Sequence, residues 1–408
     1  MRYLSPLVRE LLAEERKMVF VAGPRQVGKT TLAKSCLEEN HCAQGYFNWD
    51  VETHRKRILR SPESFWQPPD SEGRTTLIVL DEIHKYPRWK RFLKGLFDAV
   101  SGQVKILVTG SGRLDLYQRG GDSLLGRYSL LRLHPFTLGE LTLEDRASLR
   151  SPEYVEQGIK TAPHRGSELE NALDRLEKFT GFPEPLFAGK EARLLRWRRS
   201  RNHLVLREDL RDLTRIRELG LIEALVELLP ERIGSPLSLN SLREDLGVAF
   251  GTVQGWINSL ERLYYLFELR PYAGKLARTL RREAKAYLFD GSAIESPGAR
   301  FENLVALHLV KARDAWNDLG HGDFALHYVR DKEKREVDFL ITRGKRPYLL
   351  IETKLSHEAP SPALKYFHER LKPKLSLQLI RQAPASFLRA HADGVICLAA
   401  SRFLALLP

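Results

Sequence analysis

A chain of 408 residues with 43% hydrophobic content is longer than one ordinary core organises, and two or three globular domains are expected. Its 65 Lys and Arg against 52 Asp and Glu leave a formal charge of +13, which argues against an acidic solvating chain and points to a polyanionic partner. Three cysteines without metal-type spacing argue against a disulfide framework, and no apolar run approaches the ~18 residues of a membrane span. With no secretory leader in MRYLSPLVRELL, a cytoplasmic protein without a membrane partner is expected.

Leu4, Leu7, Val8, Leu11 and Leu12 recur at helical spacing and predict a short opening helix. An apolar run from Met18 to Ala22 then feeds directly into GPRQVGKTT, a complete Walker A signature. The loop of Gly23, Pro24, Arg25, Gln26, Val27 and Gly28 is expected to turn backbone N–H groups around phosphate. Lys29 would reach the β- and γ-phosphates, the Thr30 hydroxyl would bind Mg²⁺, and Thr31 begins the helix that faces the anion. ATP and Mg²⁺ are therefore the expected cofactors.

The stretch GYFNWD reads as a short aromatic strand, and residues 55–75 as a helix fragment and loop. TLIVL followed by Asp81 and Glu82 has the form of a Walker B strand. Asp81 is expected to hold Mg²⁺ through water, and Glu82 to orient and polarise the attacking water. A helix carrying Trp89, Phe92, Leu93, Leu96 and Phe97 leads to a third apolar strand, KILVT, which ends in GSGR. At its tip Thr109 or Ser111 is expected to touch the γ-phosphate or attacking water, the alternative being a plain strand-to-helix turn.

Farther on come LLGRY, a strand at 129–133, and LHPFTLGEL. GPRQVGKTT, LIVLDEIH, VTGSGR, LLGRY and LHPFTLGEL resemble, in order and spacing, the prokaryotic AAA-type ATPases with a C-terminal domain of uncharacterised function and restriction-endonuclease-like fold. The resemblance implies an arginine finger at Arg127, often donated by a neighbouring subunit, and hence a homo-oligomer, a hexamer-type ring being one form. It also places the lid turn at GFPEP, residues 181–185.

Residues 141–172 are polar, and 173–218 read as helical around a loop at 180–185. Arg207, Arg211 and Arg215 would share one helix face, either a phosphate-binding stripe or a solvated one. From 221 to 287 the pattern is that of a winged helix: helices near 221–229, 238–247 and 250–262, then a ribbon at 264–271 and 284–289. Thr252, Gln254 and Asn258 fall where a recognition helix meets nucleic acid, and Lys275, Arg278, Arg281 and Arg282 fall in the wing. The alternative is a protein-docking module.

The C-terminal part carries a helix with Glu302 among apolar neighbours, then REVDFLIT and YLLIETK. Asp338 and the alternating pair Glu352 and Lys354 can face one side of a hairpin, the layout of a PD-(D/E)XK nuclease site. Two carboxylates, Asp338 and Glu352, would hold Mg²⁺, Lys354 would act on water and phosphate, and Glu302 would add a carboxylate. Val337 stands where the pattern has proline. An active nuclease and a non-cleaving DNA-binding fold both fit these residues.

The fold expected is α/β: a P-loop parallel-sheet ATPase core (1–145), a helical lid and basic segment (146–218), a winged helix (219–290) and a restriction-endonuclease-like α/β domain (291–408). The function expected is a Mg²⁺-dependent ATPase that binds and processes or remodels DNA, branched DNA included. The alternative is a nucleotide-gated protein-binding switch with an inactive nuclease-like fold.

Overall fold

The computed structural model describes residues 2–40, 43–67, 76–100, 104–111, 124–142, 150–161, 166–210, 218–272, 283–356 and 359–408. The chain divides into two compact units, Met1–His134 and Pro135–Pro408.

The first unit is built on five parallel strands: β1 (Met18–Ala22), β2 (Tyr46–Asn48), β3 (Leu77–Asp81), β4 (Lys105–Gly110) and β5 (Tyr128–Arg132). Their order across the sheet is β2-β3-β4-β1-β5. β1 and the LIVL of β3 are uninterrupted apolar runs because both faces of a parallel sheet are covered, and every residue of these strands is buried. On one face Phe20, Phe47, Phe65, Ile78, Leu80 and Leu93 share a cluster, into which helix Trp89–Ala99 inserts Trp89, Leu93 and Leu96. Parallel register aligns the carboxyl ends of the strands: Asp81 pairs with Thr109, and Gly110 with Ala22. Open α/β sheets bind their ligands at such an edge.

The second unit opens with helices that include Gly166–Phe179, Pro183–Ala188 and Glu191–His203. The expected loop at 180–185 is shorter than read, because Pro183 starts a helix, the position where its fixed φ and missing N–H cost nothing. After His203 the chain widens into a π-helical turn, Leu204–Asp209. Arg207 there is paired with Glu223 at 2.8 Å, while Arg211 and Arg215 lie outside the described residues.

Helices Leu219–Leu228, Leu239–Leu246 and Phe250–Arg262 follow. The middle one is capped by Ser238, whose hydroxyl accepts from Ser241 N. An antiparallel ribbon then joins β6 (Leu266–Leu269) to β7 (Lys285–Leu288).

Helix Pro297–Asp318 leads into a six-stranded sheet of order β12-β13-β11-β10-β9-β8. Its strands are β8 (Phe324–Arg330), β9 (Glu336–Arg343), β10 (Arg346–Lys354), β11 (Leu375–Ile380), β12 (Leu388–Ala390) and β13 (Val395–Ala399). β8, β9 and β10 are antiparallel, and β10, β11 and β13 run parallel. Helix Pro362–Leu371 seals one face through Leu364 and Phe367 against Val337, Leu340 and Leu350. Among the described residues no helix is long and apolar enough to cross a membrane.

Candidate functional site

In the first unit, the turn from β1 into helix Lys29–Glu39 needs backbone shapes that only particular residues allow. A Cβ at Gly23 would lie 2.2 Å from the Leu133 carbonyl oxygen, and Gly28 at φ +101° sits where side chains are strained. The backbone therefore closes round a cradle directly at the N-terminus of the helix. Arg2 braces it from outside, donating to the Val27 and His134 carbonyls. Lys29 is buried, with Nζ donating to the Gly23 oxygen (3.0 Å) and the Pro24 oxygen (2.7 Å).

Asp81 is the hub of the acidic side. Its Oδ2 accepts from Thr30 Oγ1 (2.8 Å) and Tyr46 OH (2.7 Å), and its Oδ1 accepts from Thr109 Oγ1 (2.5 Å). Burial, with Asp81 beside it, raises the Tyr46 pKa, so the phenol stays a proton donor at neutral pH. Thr109 thus holds the Walker B aspartate, and Ser111 Oγ lies 3.3 Å from His84 Nε2. Glu82, directly after β3, adopts φ +57°, with Oε2 3.5 Å from His84 Nε2 and 3.8 Å from Lys85 Nζ. The glycine cradle, the buried lysine and the Thr30–Asp81 pair are the groups that a Mg²⁺-bound nucleoside triphosphate requires.

Arg127 is not at this edge. It precedes β5, its carbonyl accepts from Met18 N at the start of β1, and its Nε donates to Asp98 (3.2 Å). About six strand residues, or about 20 Å, separate that level from Gly23, so Arg127 cannot serve the phosphates of its own chain.

In the second unit, β9 and β10 pair with Ile351 opposite Phe339, which sets Glu352 next in line beside Asp338. Asp338 Oδ2 accepts from Thr353 N (2.8 Å) and Oγ1 (2.6 Å). Glu352 Oε1 pairs with Lys354 Nζ at 2.6 Å, while its Oε2 is buried with no hydrogen-bond partner. Burial and the Asp338 charge push Glu352 up to about 8 against the pull of Lys354. Glu302, from helix Pro297–Asp318, is pushed up to about 7 by burial and by Asp338, although Tyr287 OH (2.7 Å) and Lys285 Nζ (3.0 Å) both donate to its Oε1. The structure gathers Asp338, Glu352 and Lys354, whose alternation placed them on one side of a hairpin, and brings Glu302 to them from the helix.

It also adds Lys285, Tyr287 and Glu336, which sequence reasoning passed over. The signal was a cation at the head of the apolar strand KAYLF. Lys285 is fully buried, with Nζ 2.6 Å from Glu336 Oε1, 3.0 Å from Glu302 Oε1 and 4.0 Å from Asp338 Oδ1. Burial alone would lower its pKa, but the charges of Glu302, Asp338 and Glu336 outweigh it and raise it.

Among the described residues no group of three or more His, Cys, Asp or Glu is arranged to hold a metal ion. The orphaned Glu352 Oε2 and the facing Asp338 do fit an ion such as Mg²⁺, which keeps most of its waters and takes one or two carboxylates.

Thr252 and Gln254 are half-buried on helix Phe250–Arg262, and Gln254 Nε2 donates to Asn258 Oδ1 (3.1 Å). Lys275, Arg278, Arg281 and Arg282 lie outside the described residues.

Comparison with family models matches residues 15–142 to an AAA domain, 171–294 to a domain of unknown function (DUF8612) and 297–386 to another (DUF4143). The uncharacterized proteins Mb2031c of Mycobacterium bovis and Rv2008c of Mycobacterium tuberculosis are each 23% identical to the chain over 338 residues, covering 81% of it and 69% of the relative. AMPPCP-bound DnaA from Aquifex aeolicus is similar at 15% identity and TM-score 0.31, covering 62% of this chain and 86% of that one. The Bacteroides Pif1 helicase bound to ADP-AlF3 and single-stranded DNA is similar at 15% identity and TM-score 0.21, covering 42% and 49%. Both scores are too low to decide fold or activity. The matched model and the five-stranded parallel sheet agree that residues 15–142 form an AAA-type P-loop domain.

Proposed function

We propose that this chain is a Mg²⁺-dependent ATP hydrolase that acts on DNA. The observation that carries the first half is the hub at Asp81, where the Walker A threonine, the tip of β4 and Tyr46 converge on one buried carboxylate. Mg²⁺, when bound with ATP, would neutralise charge on the transferring phosphoryl group. Gly23 through Thr31 would wrap the phosphates, Lys29 would turn from the loop carbonyls to them, and Thr30 and Asp81 would hold the ion. Glu82 is the base that orients water, and Ser111 and Thr109 line the same strand end. Arg127, on the far edge of the sheet, would act only on a neighbouring copy, so the reading includes a homo-oligomer.

The DNA half is supported by the +13 charge and by helix Glu191–His203, where Arg193, Arg196 and Arg199 are exposed and no acid follows Glu191. In this reading the segment 219–290 is a winged helix, with Thr252, Gln254, Lys275, Arg278, Arg281 and Arg282 toward DNA. Binding of labelled duplex, single-stranded and branched DNA at rising salt tests it. A log–log slope of about −0.9 per phosphate contact is expected. No binding at low salt favours the protein-switch reading.

The partnerless Glu352 oxygen favours a second activity, phosphodiester hydrolysis in a restriction-endonuclease-like domain at 291–408. Asp338 and Glu352 would hold one divalent ion, and Lys354 would position water and offset phosphate charge. Asp338→Ala should abolish metal-dependent nicking and leave ATP hydrolysis intact. Nicking that survives this change removes the assignment.

A further inference from the structure

The four carboxylates of the C-terminal cluster divide into two pairs. Asp338 and Glu352 sit on facing strands, with Lys354 on the outer side of Glu352. Glu302 and Glu336 come from different elements, helix Pro297–Asp318 and the start of β9, and meet at the ammonium of Lys285. That ammonium is 1% exposed and stands within 4.0 Å of three carboxylates.

Its position is fixed by backbone. Lys285 is the first residue of β7, pairs with Leu269 in β6, and bridges to Pro236. The neighbouring residues are tied as well: Leu237 N donates to the Ala284 oxygen (2.7 Å), and Tyr328 OH to the Glu283 oxygen (2.7 Å). Tyr287, two residues on and on the same face of the strand, donates to the same Glu302 oxygen as Lys285. A lysine has three N–H donors and a single compact charge. Two of those donors are used at 2.6 and 3.0 Å, and the remaining side faces Asp338 and the Tyr328 ring.

We propose that Lys285 is a tethered cation standing where a second divalent ion would otherwise sit, so that the site takes one divalent ion rather than two. The inference rests on the phosphodiester-hydrolysis reading for the ion at Asp338 and Glu352, but not for the role of Lys285 itself. An ammonium 2.6–3.0 Å from carboxylate oxygens fills the volume of a metal ion with its ligands at about 2.0–2.6 Å, and it supplies one positive charge permanently. It comes from the ribbon rather than from the six-stranded sheet, whose own Arg330 and Lys354 pair with Glu336 Oε2 (3.1 Å) and Glu352 Oε1 (2.6 Å).

The test is Mn²⁺ stoichiometry on the full chain without nucleotide, read from the electron paramagnetic resonance of free Mn²⁺. Wild type is compared with Lys285→Met, and Asp338→Ala defines which ions belong to the cluster. Any Mn²⁺ held at Thr30 and Asp81 is common to all three proteins and cancels. Wild type should bind one ion at the cluster and Lys285→Met two. One ion in both would overturn the role of Lys285 and keep the hydrolysis reading. None in wild type but one in Lys285→Met would keep the role of Lys285 and remove the hydrolysis reading. None in either would remove both. If Lys285→Met is too unstable to titrate, its melting temperature should rise with millimolar Mn²⁺ while that of wild type rises less. An equal or absent rise would also overturn the proposal.

Discussion

Tyr46→Phe removes one hydroxyl from the Asp81 hub and changes nothing else of comparable size. The phenol donates at 2.7 Å to a carboxylate oxygen whose residue is 2% exposed, so solvent has little access to replace it. A hydrogen bond to a charged acceptor contributes about 1.5–3 kcal/mol, and the lower end applies because the same Oδ2 keeps Thr30 as a donor. For a unit spanning Met1–His134, unfolding entropy at about 2 cal/mol/K per residue converts 1.5 kcal/mol into a melting shift of about 5 °C. The functional effect should exceed the stability effect. When Thr30 turns to a metal ion, Tyr46 and Thr109 are left to aim Asp81, so Mg²⁺-dependent ATP affinity should fall more than Mg²⁺-free affinity. Differential scanning fluorimetry with and without ATP and Mg²⁺ reads both. An unchanged melting temperature, or equal losses with and without Mg²⁺, would refute the reasoning.

Acid should loosen the second unit through His308, which burial lowers to about 4 and whose ring lies between Leu138 N (2.9 Å) and the Leu304 oxygen (2.8 Å). A depressed pKa stabilises above the unfolded value near 6.5, and that stability is lost as pH falls through 4; about 3 kcal/mol should disappear over this window, and His308→Gln should flatten it in urea titrations. Lys311→Met removes one partner of the buried 2.7 Å pair with Glu140, costing about 3–5 kcal/mol by chemical denaturation, and Lys311→Met with Glu140→Leu should recover most of it. Mixing Arg127→Ala with Glu82→Gln should restore part of the ATP turnover that each lacks, because some interfaces then carry both wild-type groups; full activity of Arg127→Ala as a monomer would end the finger assignment.

The strand, loop and helix that carry the Walker A signature were legible because their signals are local. An apolar run, two glycines at fixed spacing and Lys-Thr force a strand, a tight loop and a helix N-terminus within 14 residues of chain. Asp81 and Glu82 could be placed beside that loop because a second apolar run ends in acid. What the chain order does not carry is lateral register: Thr109 meets Asp81 only because β4 lies between β1 and β3, and Tyr46 reaches it from the outer strand. The C-terminal cluster separates in the same way. Asp338 and Glu352 are 14 positions apart on one hairpin and could be paired by alternation. Lys285 comes from a ribbon some 50 residues earlier, and only packing against helix Pro297–Asp318 brings it to Glu302 and Glu336. Of the stripe expected at Arg207, Arg211 and Arg215, only Arg207 lies among the described residues, in the π-helical turn Leu204–Asp209, where Glu223 takes its guanidinium.

Glu82→Gln tests the central claim most directly, measured as steady-state ATP turnover with and without DNA alongside equilibrium ATP binding. The substitution keeps the shape of a residue held at φ +57° and removes only the carboxylate charge. Wild type should hydrolyse ATP with Mg²⁺ and faster with DNA, whereas Glu82→Gln should bind ATP as tightly and turn it over about 10²-fold or more slowly. Near-normal turnover in Glu82→Gln, or no Mg²⁺-dependent hydrolysis by the wild-type chain with or without DNA, would contradict the account.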